Sequence, residues 1–268
     1  MTGDSLYQEL RTNLSYLRLY AAAEALPAEL DYAKAHKLGH QAFLKRLTDA
    51  EVAATSERRR QSLERFARLP AAWRLEDFTF DAQPSVDRAL VHELSTLRFL
   101  EDATNVLLIG PPGVGKTMLA VSLARLSIEA GYRTYYTTAS DLAARCHRAA
   151  IEGKWATTMR FFAGPRLLVI DEVGYLPMAS EAAAALFQVI TQRYLKGSIC
   201  LTTNLSVGSW GRIFDDPMAA GAMLDRLLHR SVVFNIDGES YRMREHRART
   251  ERLAGRASSR QLTERTRS

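Results

Sequence analysis

The string Gly110-Pro111-Pro112-Gly113-Val114-Gly115-Lys116-Thr117 constrains this chain more than any other feature. It fits G-x-x-x-x-G-K-[ST] in full. It follows the apolar run Val106 to Ile109 and opens a helical pattern, Thr117 to Ala130, closed by Gly131. Strand, glycine loop and helix in that order make an anion cradle. The glycines let the backbone curl so that N–H groups face phosphate oxygens, and the helix N-terminus adds its partial positive charge. A nucleotide site over residues 110–118, Met118 included, is therefore expected. In it Lys116 reaches the β- and γ-phosphates of ATP, and the Thr117 hydroxyl ligates Mg²⁺.

Leu167-Leu168-Val169-Ile170-Asp171-Glu172 reads as the matching second motif. An apolar strand delivers Asp171 toward the metal. Glu172 stands where a base orients an attacking water. That adjacent pair argues for hydrolysis of ATP and against a small-molecule kinase. Thr202-Thr203-Asn204 ends the next strand, and Asn204 reads as a polar sensor of the γ-phosphate or the attacking water. Arg226 lies near the end of the last helix, facing away from its own P-loop. There it would serve a neighbouring subunit as an arginine finger, with Arg230 as the competing candidate.

The motifs sit in an alternating pattern. Strands are expected at 106–109, 134–137, 167–170, 199–202 and 232–236. Helices are expected at 117–130, from a Ser140 cap to about 152, from a Ser180 cap to about 196, and at 218–229. Continuous apolar strands between helices indicate an α/β fold with a parallel five-stranded sheet covered on both faces. Before it, residues 1–70 read as a small helical domain. Leu6, Leu10, Leu14 and Leu17 fall on one face, Pro27 punctuates, and Phe43, Leu44 and Leu47 begin another stripe. Residues 71–104 form a connector anchored by Phe78, Phe80 and Val86. Residues 105–245 form the nucleotide-binding domain, and 246–268 a basic tail expected to be disordered.

Charge is unevenly spread: net +1 over residues 1–77, zero over 78–238 and +5 over 239–268, which hold nine arginines. The excess suggests a polyanion contact made by one segment. Cys146 and Cys200 lie far apart without metal-ligand spacing, which argues against a disulfide framework or zinc site and for a reducing compartment. No secretory signal and no long apolar run is visible, so a cytoplasmic chain with no membrane partner is expected.

Leu75-Glu76-Asp77-Phe78, GPPGVGKT, LLVIDEVGYLP from Leu167, LTTNLS from Leu201 and MLDRLLHRSVVFNIDGESYR from Met223 together resemble the IstB transposition helper ATPases. The resemblance runs from about residue 20 to 245. That family is related to the DnaC helicase loaders and DnaA initiators. The resemblance implies an AAA+ fold without a C-terminal lid. It also implies self-assembly on double-stranded DNA into a homo-oligomer with ATP at subunit interfaces, DNA bending, and recruitment of a partner transposase of the IstA type. Arg145, Arg148, Lys154, Arg160 and Arg166 are the DNA-contact candidates. With no base-reading motif present, they would hold phosphates. Trp155, Phe161 and Phe162 among them read as core. A DnaC-like replicative helicase loader is the alternative function.

Overall fold

The computed structural model describes residues 3–175, 180–212, 217–241 and 243–244. The basic tail, Leu176-Pro177 and Arg242 lie outside the described residues. Two compact units divide the chain, Met1–Ser62 and Leu63–Ser268.

The first unit holds α1 (Gly3–Tyr16), α2 (Tyr20–His36) and most of α3 (His40–Ala67). Its core is small: Ala22, Leu26 and Leu47 are buried, with Tyr7, Leu14, Leu30 and Phe43 packed around them. Of the expected leucine face on α1, only Leu14 joins this core. Leu6, Leu10 and Leu17 are exposed, because a core of only three buried positions leaves little apolar surface to cover them. Pro27 does not punctuate; it lies inside α2. Packing of Ala22, Ala23 and Leu26 outweighs the one backbone donor that a proline removes. Glu51 is buried and accepts from the Ala22 N–H at 3.0 Å and from Arg58 at 2.7 Å. It thus satisfies an orphan donor in the first turn of α2. That backbone bond, ahead of Arg58, draws its carboxyl below the ordinary value.

The second unit is the α/β layer structure. Its elements are α4 (Arg88–Ser95), α5 (Arg98–Glu101), β1 (Asn105–Ile109), α6 (Lys116–Glu129) and β2 (Thr134–Thr138). There follow α7 (Ala139–Ile151), α8 (Trp155–Ala163), β3 (Leu167–Val173), α9 (Ser180–Arg193), β4 (Ser198–Thr203), α10 (Pro217–Leu228) and β5 (Ser231–Asn235). The five strands pair in parallel in the order β2-β3-β4-β1-β5. All five expected strands are present. One cap differs: α7 starts from Thr138, whose hydroxyl accepts from the Asp141 N–H at 3.1 Å, while Ser140 lies within the helix.

Alternate residues of β3 and β4 feed two cores, as a period-2 backbone requires. Leu168, Ile170, Ile199 and Leu201 pack under α7 to α10. Val106, Leu108, Leu167, Val169 and Cys200 pack under α6, α4 and the anchors Phe78 and Val86. Phe162 is buried in the first core, with Trp155 and Phe161 packed against it.

One buried arginine ties the lower ends of these elements together. Arg193, 1% exposed, donates through Nη1 to the carbonyls of Phe162 (2.8 Å), Ala163 (3.3 Å) and Pro165 (2.9 Å). Through Nη2 it donates to Arg166 (3.2 Å) and Ser198 (2.7 Å). Burial, with a smaller push from Arg166, lowers its pKa to about 9, which leaves it charged at neutral pH.

Candidate nucleotide-binding site

In a parallel sheet the loops beyond strand C-terminal ends converge, and here they bring three separate segments together. The strand order matters. β4 lies between β3 and β1, so Thr202 and Asn204 stand between the P-loop and Asp171.

The loop after β1 takes the conformation its glycines permit. Gly113 has φ +84°, and a Cβ there would collide with the Ser240 side chain. Gly115 has φ +97°, and a Cβ would sit 2.7 Å from the Phe78 ring. An L side chain at either place would meet both backbone strain and a neighbour. Lys116, 4% exposed, donates from Nζ to the carbonyls of Gly110 and Pro111, both at 2.7 Å. Its ammonium is thereby folded over the loop it belongs to.

Asp171 is buried, and both of its oxygens are engaged. Thr117 Oγ1 donates to Oδ1 at 3.1 Å, the Thr202 hydroxyl donates to the same oxygen, and the Tyr136 hydroxyl donates to Oδ2 at 2.6 Å. Burial, then the bond to Asp171, pushes the Tyr136 phenol above its ordinary pKa, so it stays a donor. Glu172 points elsewhere, and the register explains why. Ile170 pairs with Leu201 and Val173 with Thr203, so β3 uses one residue more than β4 across that interval. This bulge puts Glu172 at φ +62°, a conformation that costs a non-glycine residue about 1–2 kcal/mol. Its N–H is held by Thr202 Oγ1 at 3.0 Å, and its side chain is exposed.

These parts border a cavity of about 370 Å³ lined by Pro112 to Met118, Glu172 and Tyr175, and on the other side by Trp73, Asp77, Phe78, Gln83 and Tyr241. The chain beyond β5 closes over the loop. The Tyr241 N–H donates to the Gly113 carbonyl at 2.9 Å, and Gln83 Nε2 donates to the Glu239 carbonyl at 3.1 Å.

The sequence candidates do not all gather here. Gly110 to Met118, Asp171 and Glu172 come together. Asn204 follows β4, with its Oδ1 buried and without a hydrogen-bond partner among the described residues. Arg226 does not line the cavity; its Nη1 donates to the Ala222 carbonyl at 2.7 Å, and its guanidinium lies 5.4 Å from the Phe187 ring centroid. Arg230 reaches the Asp102 carbonyl at 3.4 Å. Arg145 and Arg148 project from α7. Lys154 pairs with Glu152 at 2.8 Å, Arg160 stays on the surface of α8, and Arg166 donates to the Glu101 carbonyl at 3.0 Å. Tyr136, Thr202, Gln83 and Tyr241 were not singled out from the sequence. Thr202 carried a signal, a hydroxyl two places before the sensor candidate. Tyr136 carried none, since a tyrosine in an edge strand reads as ordinary strand composition.

Oxygen donors suit a hard cation, and Thr117 and Asp171, 3.1 Å apart, supply them. Among the described residues, no helix is long and apolar enough to cross a membrane.

Residues 12–249 match the family described as IstB-like ATP binding protein. The chain is 45% identical over 236 residues to the insertion sequence IS5376 putative ATP-binding protein of Geobacillus stearothermophilus, covering 88% of this chain and 94% of that one. It is 39% identical over 239 residues to the insertion sequence IS21 putative ATP-binding protein of Pseudomonas aeruginosa, covering 89% and 90%. Among solved structures, AMPPCP-bound DnaA from Aquifex aeolicus superposes with TM-score 0.53 at 19% identity, over 70% of this chain and 57% of that one, a likeness of fold alone. With a nucleotide cradle on an AAA+ sheet and relatives of this similarity over most of its length, the chain belongs to the IstB-like ATP-binding proteins of insertion sequences.

Proposed function

We propose that this protein hydrolyses ATP to ADP and phosphate while assembled with its own copies on double-stranded DNA, and that the assembly recruits and stimulates a partner transposase. The observation that carries the hydrolytic part is the bulge in β3. It separates two adjacent carboxylates, burying Asp171 against Thr117 and turning Glu172 out to the cavity. A binding module has no need of that split. Glu172 takes a proton from water at the cavity edge, Asn204 orients that water or the terminal phosphate, and Lys116 leaves its loop carbonyls for the phosphate oxygens. Thr117 and Asp171 would hold Mg²⁺, which when bound neutralises charge on the phosphates.

Self-assembly is supported by Arg226. It is an arginine near the end of α10, half-buried, positioned by Phe187 and the Ala222 carbonyl, and it does not line its own cavity. It completes the site of the next subunit. DNA binding is supported by the insertion-sequence relatives and by the basic side chains Arg145 and Arg148 of α7, with the arginine-rich residues 239–268 as a further contact.

Mixing two variants tests the shared site. Glu172→Gln and Arg226→Ala should each be nearly inactive in DNA-stimulated turnover. Together they form interfaces with one intact Glu172 and one intact Arg226, and turnover should partly return. Recovery with Arg230→Ala in place of Arg226→Ala would move the finger to Arg230. No recovery in either mixture, from variants that fold, co-assemble and bind ATP, would refute the shared site.

A further inference from the structure

A second cavity, of about 570 Å³, opens at the outer edge of the sheet beside β2. Arg68, Arg145 and Arg148 line it with the Tyr135, Tyr136 and Thr137 segment, against one carboxylate, Asp141. Arg68 follows the end of α3 with φ +54°, and Arg145 and Arg148 come from α7. Three arginines from two separated segments therefore border one opening.

Arg145 is held in place before any ligand arrives. Its guanidinium lies 3.6 Å from the centroid of the Phe161 ring, and its Nη1 reaches the Tyr135 hydroxyl at 3.4 Å. Phe161 is itself wedged edge-on against Tyr135 at 4.8 Å and Phe162 at 5.4 Å. Phe66 extends this floor and carries Arg133 at 4.0 Å. Stacking leaves the rim of a guanidinium, where its donors lie, free to point into the cavity. Arg68 and Arg148 are exposed and bring the remaining forks. β2 is an edge strand, so among the described residues one side of its main chain has no ladder partner.

We propose that this cavity seats a backbone phosphate of double-stranded DNA, gripped by Arg68, Arg145 and Arg148. This rests on the DNA-binding reading above and narrows it. Of the five basic residues singled out between 140 and 167, it selects Arg145 and Arg148, excludes Lys154, Arg160 and Arg166, and adds Arg68 from a distant segment. Planar forks converging beside the Tyr135 hydroxyl, which accepts from Arg145 and keeps its own proton to donate, suit a tetrahedral oxyanion, and phosphate contacts of this kind position a duplex without reading its sequence. The cavity also borders Tyr136, whose hydroxyl bonds Asp171 Oδ2, so the DNA seat lies one side chain from the nucleotide site.

The test measures binding of the full-length chain to a labelled mixed-sequence duplex with an ATP analogue, across a salt series. Arg68→Gln and Arg148→Gln, both at exposed positions, should each weaken binding about tenfold and lower the slope of log K against log salt by about 1, while retaining the wild-type melting temperature. Lys154→Gln and Arg160→Gln should stay within about threefold of wild type, since neither side chain lines the cavity. Pocket variants that bind like wild type, or comparison variants that lose as much, overturn the proposal. Polyglutamate serves as a second probe: if Arg68→Gln and Arg148→Gln weaken it but not the duplex, the occupant is an acidic protein and the proposal fails. If the wild-type chain binds nucleotide but no duplex, the DNA-binding reading itself falls, and this seat with it.

Discussion

Thr202→Val isolates the step on which the proposed chemistry depends. Valine matches threonine in shape, and Thr202 is 1% exposed, so the packing of β4 should survive. What disappears is one hydroxyl with two duties: it donates to Asp171 Oδ1 and accepts from the Glu172 N–H at 3.0 Å. A hydrogen bond to a charged group contributes about 1.5–3 kcal/mol, and a buried N–H left without a partner costs about 1–3 kcal/mol. Partial relaxation makes a loss of roughly 2–4 kcal/mol in unfolding free energy the expected outcome in urea titration. The kinetic effect follows from Glu172, whose φ of +62° is held by that N–H bond. If about 1.4–2.8 kcal/mol of its positioning is lost in the transition state, kcat falls about 10- to 100-fold. ATP affinity should stay within about threefold, because the P-loop contacts to phosphate are untouched. Nucleotide binding by fluorescence and single-turnover ATP hydrolysis separate the two. A variant with wild-type kcat would refute the claim that the hydroxyl positions the carboxylate pair. A variant whose ATP affinity collapses while kcat holds would show that Thr202 acts on binding.

Lys116→Ala should reduce ATP affinity by at least about 30-fold by calorimetry, since its charge-assisted bonds to phosphate are worth roughly 2 kcal/mol or more; unchanged affinity would remove the lysine from the site. Arg193→Met takes a donor from five carbonyls, three of them buried, and should cost about 3–5 kcal/mol, lowering Tm by roughly 6–20 °C. A loss under about 1 kcal/mol would mean that the guanidinium is merely tolerated there. Burial raises the thiols of both Cys146, to about 11, and Cys200. Thiolate is therefore scarce below that pH, and neither cysteine should react with a disulfide reagent at pH 8 until the chain unfolds. Rapid labelling of the native protein would contradict that burial.

Much of the site was legible because its chemistry is local. A P-loop is a conformation of eight consecutive residues, and the φ of Gly113 and Gly115 is a demand made on two named positions. Apolar strands between amphipathic helices likewise carry their sheet in their period, so five parallel strands followed from pattern alone. Pro27 and the leucine face of α1 were misread for the opposite reason: whether a helix tolerates a proline, or a stripe finds cover, depends on neighbours that period does not name.

What the sequence by itself determined was thus the class of fold, the phosphate cradle and the acidic pair at the end of β3. Only the tertiary structure decided how that pair divides. The one-residue difference in register between β3 and β4 is invisible in either strand alone, yet it buries Asp171 among three hydroxyls and turns Glu172 outward. Which residue of a strand is left over as a bulge depends on its partner's register, and a register exists only once two strands are paired.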